Sequence, residues 1–432
     1  MPINRRQFIK RSAGAVSVGL VMPTVLLTDV KGQGPIANPN RRIFVVIQQA
    51  GGNDGLNTVI PYTNSRYQSL RPTLAFKDAE LKDATGRSTI LGGEPFAFHP
   101  ALAEMKELYD AGKVAPVLGV GYPTPNLSHF LSQDIYHTAN TAGGAGNGWL
   151  GKYADQKLLG QSSLSAVSVG NSLPKSLFAD KVVVPSISNF ANYTYQTDER
   201  NRGDRNNQVN TFHSTNRRGF PSDSFIEAIA NTGIDAADGA AQLQTAVGTY
   251  NSPVTYPAGN PLASGLKMVA QIVTTIPEAN LLYVTVGGWD HHSQEIGNAQ
   301  SPTDKSIGQH ATLLGQVSQG IKAFYDDMAA HGLADNIVIM TWTEFGRRPN
   351  ENASHGTDHG TANVMFVVGN PVRGGKIYGE QPSLDVTALD SAGNMRFTLD
   401  FRAVYATVLD KWLGADSRSI LGGSYENVGF LG

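Results

Sequence analysis

The chain has 432 residues, a formal net charge of -2, 41% hydrophobic residues and no cysteine. The missing thiols exclude disulfides, a Cys-ligated metal, a thiol nucleophile and a formylglycine made from cysteine, and the charge balance excludes the basic footprint of a nucleic-acid-binding protein. Apolar runs are spread over the whole length with no low-complexity linker or internal repeat, which predicts one large α/β domain over residues 38–432 with an insertion at 189–218.

Residues 1–37 read as a twin-arginine export signal and short linker. Asn4-Arg5-Arg6-Gln7-Phe8-Ile9-Lys10 is followed by the charge-free, weakly apolar stretch 12–27, the pattern that the twin-arginine export machinery handles. Five cations against Asp29 give the stretch +4 and leave about -6 on the remainder. A periplasmic or extracellular destination is expected, with no membrane span beyond the signal.

Ile43-Phe44-Val45-Val46-Ile47 is the first buried strand, and it runs into Gly51-Gly52-Asn53-Asp54-Gly55, whose glycines let the backbone approach a neighbour closely. Asp54 at the strand end is a candidate metal ligand, although Asn-Asp-Gly is also ordinary turn chemistry. Residues 114–120 form a second strand. Ser128-His129-Phe130 then opens a helix, where Ser128 is either an N-cap or a nucleophile placed in the positive potential of the helix start. His129 beside it is a candidate base or a packed histidine. Residues 166–170 and 182–187 are further strands, 189–218 is polar and aperiodic, and 225–234, 236–250 and 262–276 are helical.

Residues 281–286 deliver Gly287-Gly288-Trp289-Asp290-His291-His292 at a strand end. Asp290 and His292 lie two apart and so point the same way in extended chain, which suits two ligands of one ion. An amphipathic helix over 307–332 follows, with His310 and His331 expected at its surface. Residues 337–340 and 364–368 are short apolar runs of the kind found in a doubly covered parallel sheet. Between them lie Glu344, Arg347, His355, Asp358 and His359, at strand ends where open α/β sheets place ligands. Arg347 is expected to fork onto the free oxygens of an ester. The helix over 397–412 packs the core.

Carboxylates and imidazoles at several strand ends are costly to bury without a cation, and suit zinc, manganese or magnesium, with calcium acceptable to the carboxylates. A divalent ion would polarise an ester oxygen and activate Ser128 or water. Gly51-Gly52-Asn53-Asp54-Gly55-Leu56-Asn57-Thr58, Ser128-His129-Phe130, Gly288-Trp289-Asp290-His291-His292, Thr343-Glu344-Phe345-Gly346-Arg347, Thr357-Asp358-His359-Gly360 and Asp400-Phe401-Arg402-Ala403-Val404-Tyr405 together resemble the exported domain-of-unknown-function family 1501.

That resemblance implies a fold similar to the alkaline phosphatase and sulfatase superfamily, an α/β/α sandwich with a largely parallel central sheet. By position it assigns two-metal binding to Asp54, Ser128, Asp290 with His292, Glu344 with Phe345, and His359. Phe345 stands where the superfamily has a histidine, and no Ser or Cys stands in the S/C-x-P-x-R context of sulfatases. The sequence therefore supports an exported metal-dependent hydrolase of phosphate or sulfate esters, acting on an anionic ester or a cell-envelope polymer. The alternative is a non-catalytic exported binding protein that keeps the fold.

Overall fold

The computed structural model describes residues 40–432 except 195, 196, 198–201, 223, 299 and 302, so the export segment lies outside the described residues. Its strands are β1 Ile43–Gln49, β2 Val59–Ile60, β3 Ala97–Phe98, β4 Val114–Gly121, β5 Ala166–Val169, β6 Ser186–Ile187, β7 Leu281–Val286, β8 Ile337–Trp342, β9 Arg347–Glu351, β10 Thr357–His359, β11 Asn363–Val368, β12 Tyr378–Gly379 and β13 Leu399–Asp400. The architecture is mixed α/β with a large, mainly parallel central sheet, the class expected from the sequence. Every residue of β1, β4, β8 and β11 is buried, which is why these strands read as continuous apolar runs without alternation.

The chain divides into two compact units. The larger comprises Phe44–Ala145, Val254–Lys267 and Val284–Gly432. Its strand order runs β12-β4-β11-β8-β1, with β13 also on β4. β12 and β13 lie parallel to β4, whereas β11 is antiparallel to both β4 and β8. The antiparallel β11 departs from the parallel expectation for residues 364–368. No crossover helix separates it from β8, because the intervening chain folds into the hairpin β9–β10.

Among the described residues the smaller unit comprises 40–43, Gly146–Pro253 and Met268–Tyr283. Within it β5 and β6 pair in parallel, and Arg41 caps the end of the helix Pro261–Thr275 by donating to the carbonyls of Val273, Ile276 and Ala279. The polar stretch expected to be aperiodic contains the helix Arg202–Asn216. Val209 and Phe212 pack with Ala237, enough apolar contact to hold a largely polar helix. The two helices expected over 225–250 are one, Phe225–Val247. Gly233 at its middle is retained where a Cβ would press to 3.0 Å from the Phe212 ring.

Candidate metal centre

Four strand ends of the larger unit and one helix start build the centre. β1 leads into Gly51 and Gly52, β7 into Asp290 and His292, and β8 into Thr343 and Glu344, while the β9–β10 hairpin carries Asp358 and His359. The helix His129–Thr138 follows β4 and begins with Ser128 as its N-cap residue.

The donor atoms converge. His292 Nε2 lies 2.9 Å from His359 Nε2, and each is 3.0 Å from Asp290 Oδ1. His129 Nε2 stands 3.4 Å from Asp290 Oδ2. Ligand atoms of His129, Asp290 and His359 all fall within 4.8 Å of one another. Metal–ligand bonds of roughly 2.0–2.2 Å imply donor–donor spacings of about 3 Å, so His129, Asp290 and His359 are close enough together to hold a single ion, with His292 meeting the same Asp290 oxygen.

Each imidazole is also held from behind. His129 Nδ1 faces Glu344 Oε1 at 2.8 Å, His292 Nδ1 faces Asp358 Oδ1 at 3.4 Å, and His359 Nδ1 donates to the Leu127 carbonyl at 2.9 Å. A group that occupies Nδ1 fixes the ring and turns the Nε2 lone pair inward, which is how metal-binding histidines are oriented. Glu344 and Asp358, expected as ligands themselves, thus stand behind imidazoles, and His129, expected as a base, joins the converging atoms.

Glu344 is fully buried and also accepts from the Gly51 N–H at 2.9 Å and from Gln133 Nε2 at 2.9 Å. Burial would raise its carboxyl, but the hydrogen bonds from His129, Gln133 and Gly51 hold it below its ordinary value. The same contact raises His129, helped by the nearby Asp290 charge. Asp290 is opposed by burial, yet Arg347 and His359 keep it well below the usual carboxylate range.

Arg347 has a different role from the one expected. It is 1% exposed, and its guanidinium donates to the carbonyls of Gly52, Thr357, Gly51 and Trp289 and to Asp290 Oδ1 at 2.8 Å. It braces Asp290 from inside and presents no face to an external ester. Phe345 is equally buried, with its ring 4.8 Å from the His129 ring and 4.6 Å from the His359 ring. It fills space with a group that cannot ligate.

Gly51 joins these parts, since its N–H serves Glu344 and its carbonyl serves Arg347. Its φ is +131°, and a Cβ would come within 2.6 Å of the Asp290 backbone nitrogen. Gly51→Ala is expected to cost about 2–4 kcal/mol through backbone strain and overpacking, with loss of metal retention; denaturant melts and metal content measured on one preparation check both.

The profile of the family described as protein of unknown function (DUF1501) matches residues 108–422, most of the chain. The chain belongs to the DUF1501 family. No curated protein matches it. Among solved structures it is similar to Ps i-CgsB in complex with k-i-k-neocarrahexaose, at 10% identity over 91% of this chain and 75% of that one, with a TM-score of 0.38. The C-terminal periplasmic domain of EcEptC from Escherichia coli, in complex with Zn, is similar at 10% identity over 81% and 78%, TM-score 0.34. Alkaline phosphatase from the Antarctic bacterium TAB5 follows at 9% identity over 78% and 92%, TM-score 0.30.

Beneath the centre this DUF1501 chain buries a second polar cluster that the sequence does not announce. Asp54, expected as a ligand, is 1% exposed and held by Arg71 through two bonds of 2.5 and 2.9 Å. Burial opposes its charge, but Arg71 brings the carboxyl down to about 2. Glu295 behaves oppositely: burial and the Asp54 charge push its carboxyl well above the ordinary range, while the Thr357 hydroxyl donates to it at 2.9 Å. His310, expected at the surface, is buried and faces Asn53 Oδ1 at 3.0 Å. His291 is buried too, facing away from Asp290 and His292, with its ring 5.5 Å from that of His310.

His99 completes this layer. Its Nδ1 accepts from the Ala101 N–H at 3.0 Å, and burial lowers its pKa from 6.5 to about 4. Between those values the unfolded chain binds a proton that the folded chain refuses. The stability contribution is therefore complete above pH 6.5 and falls as pH drops toward 4, by up to about 1.4 kcal/mol per unit. Denaturant midpoints measured from pH 7 to 4.5 are expected to decline, and to decline less steeply in His99→Gln.

Proposed function

We propose that this protein is an exported hydrolase of phosphate or sulfate esters that works with one divalent metal ion held by His129, Asp290, His292 and His359. The observation that carries the reading is the convergence of imidazole Nε2 atoms on Asp290, each ring fixed at Nδ1 by Glu344, Asp358 or Leu127. The mixture of imidazole nitrogen and carboxylate oxygen favours zinc or manganese over calcium and magnesium, which prefer oxygen alone. One ion is favoured over two because Asp54 is neutralised by Arg71 and Phe345 occupies the space beside His129.

When bound, such an ion supplies Lewis acidity toward an ester oxygen. Ser128 is the nucleophile in this reading. It N-caps the helix His129–Thr138 without a side-chain cap bond, which leaves its hydroxyl uncommitted to the helix and in the field of its first N–H groups. The Leu127 carbonyl ties the preceding residue to His359, so Ser128 and the centre are held in register. Export by the twin-arginine machinery, as a protein folded beforehand, belongs to the same reading; among the described residues no helix is long and apolar enough to cross a membrane.

A second reading, a binding protein that retains the ion without turnover, is favoured by Arg347, whose guanidinium is spent internally. The two separate on 4-nitrophenyl phosphate and 4-nitrophenyl sulfate. The hydrolase reading expects turnover that Ser128→Ala reduces at least about 1000-fold, in line with loss of a covalent nucleophile, while metal content stays unchanged. Full metal without turnover of either ester supports the binding protein.

A further inference from the structure

A groove of about 1100 Å³ is lined by residues from the loops that carry the candidate ligands. Gln294 lies two residues after His292, and Ser354 and His355 lie three or more before Asp358. Two residues of chain span at most about 7 Å, so the groove and the centre are neighbours along both loops. Its wall is completed by Gln309 and Thr312 from the first turn of the helix Gln309–Ala330, and by Ile296, Ile307 and Leu313.

The lining chemistry is specific in what it lacks. Among the described residues no Asp, Glu, Lys or Arg lines the groove. The polar ends are amides, hydroxyls and the His355 imidazole, which both donate and accept, as sugar hydroxyls do, beside an aliphatic patch suited to the C–H faces of a pyranose. Among the described residues no strand contributes to the wall, so an extended peptide has no sheet edge there to join.

The backbone adds an independent sign. Gln294 and His355 have φ of +53° and +55°, two of the four non-glycine residues with positive φ among those described. They belong to one interlocked turn, with the Gln294 N–H donating to the Ser354 carbonyl and the Glu295 N–H to that of His355. Such strain costs on the order of 1–3 kcal/mol per residue and persists where the surroundings enforce it, often at ligand sites.

We propose that this groove binds uncharged sugar residues of a glycan, placing an ester on that glycan at the centre beside it. The proposal rests on the hydrolase reading only for the reaction; the binding stands without it. Metal-stripped full-length protein is therefore titrated by calorimetry with cellohexaose, xylohexaose, mannohexaose and neoagarohexaose, and in parallel with a sulfated hexasaccharide, a trigalacturonate and pentaglycine. At least one uncharged hexasaccharide is expected to bind with millimolar affinity or better. Thr312→Trp, which fills the groove, is expected to weaken it at least 10-fold, and Gln309→Ala, an exposed truncation that leaves folding intact, several-fold, as loss of one or two hydrogen bonds implies. Metal content of both variants is expected to match the parent, which separates this proposal from the fate of the centre. Absence of binding by all four uncharged sugars at 10 mM overturns it. So does binding that neither substitution alters, or binding confined to the charged sugars or the peptide.

Discussion

Arg71→Ala is expected to be the most destabilising single truncation in the larger unit. Arg71 is fully buried, and besides its two bonds to Asp54 it donates to the carbonyls of Pro349 and Arg348, both at 2.9 Å. It thereby ties the β9 strand to the turn after β1. Removing it leaves the Asp54 carboxylate buried and unpaired next to Glu295, and breaking a buried pair from one side costs about 3–5 kcal/mol. Arg71→Lys is not a conservative change here, because an ammonium cannot fork onto the carboxylate and two carbonyls together. The double variant Arg71→Met, Asp54→Leu is expected to recover much of the loss, since replacing both charges by apolar groups removes the unpaired ion. Denaturant unfolding of the two single variants and the double variant checks this. The outcome that sinks the argument is an Arg71→Ala protein that melts like the parent and takes up an additional equivalent of zinc, for Asp54 would then be a ligand awaiting its cation.

The sequence made the fold legible through its strands. Residues 43–47, 114–120, 281–284 and 337–340 are apolar without interruption because both faces of those stretches are covered, and a period of one needs no partner to be read. It also set Asp290 and His292 in the chain that leaves β7 and His359 ahead of β11, as the structure has them, where spacing of two and a preceding glycine pair carry local information. What it did not reveal depends on contacts distant in the chain. Nothing local to Leu70-Arg71-Pro72 says that this arginine will meet Asp54, seventeen residues earlier, inside the molecule. Glu295 is pushed above the ordinary carboxyl range only because the fold buries it and encloses it with Asp54. His310 is different, since a signal was present: it precedes Leu314, Val317, Ile321, Phe324 and Met328 at spacings of four and three, on the buried stripe of the helix Gln309–Ala330. Its polar character suggested the surface, and the periodicity was the better guide.

The roles of Glu344 and Arg347 show the same division. Glu344 sits in the loop after β8 and Arg347 at the start of β9, where a ligand or an ester clamp is the natural expectation for a carboxylate and a guanidinium. Burial decides against it. Glu344 is enclosed by Gly51, Gln133 and His129, and Arg347 by a ring of backbone carbonyls, so each acts on the centre through another side chain. The sequence drew attention to both residues; their depth is a property of packing that one chain does not display.

Metal content separates these layers. The parent is expected to carry close to one equivalent of zinc or manganese per chain, and Asp290→Ala or His359→Ala to carry almost none. Asp290 contributes an oxygen that meets both His292 and His359 at 3.0 Å, and His359 contributes the nitrogen closest to His292, so either truncation opens the converging set. Glu344→Gln keeps the shape of the side chain but removes the charge facing His129 Nδ1, and it is expected to weaken metal affinity about 10–100-fold without abolishing it, the usual effect of a group that orients a metal-binding histidine. Arg347→Met removes the brace on Asp290 Oδ1 and leaves backbone carbonyls of Gly51, Gly52, Trp289 and Thr357 without their shared donor, so it is expected to lower stability together with metal affinity. A competition titration against a chromogenic chelator orders the four variants. If Glu344→Gln loses metal as completely as Asp290→Ala while remaining folded, Glu344 is itself a ligand and His129 is not; if all four retain the parent stoichiometry, the ion is held elsewhere and the imidazoles around Asp290 are a hydrogen-bonded cluster alone.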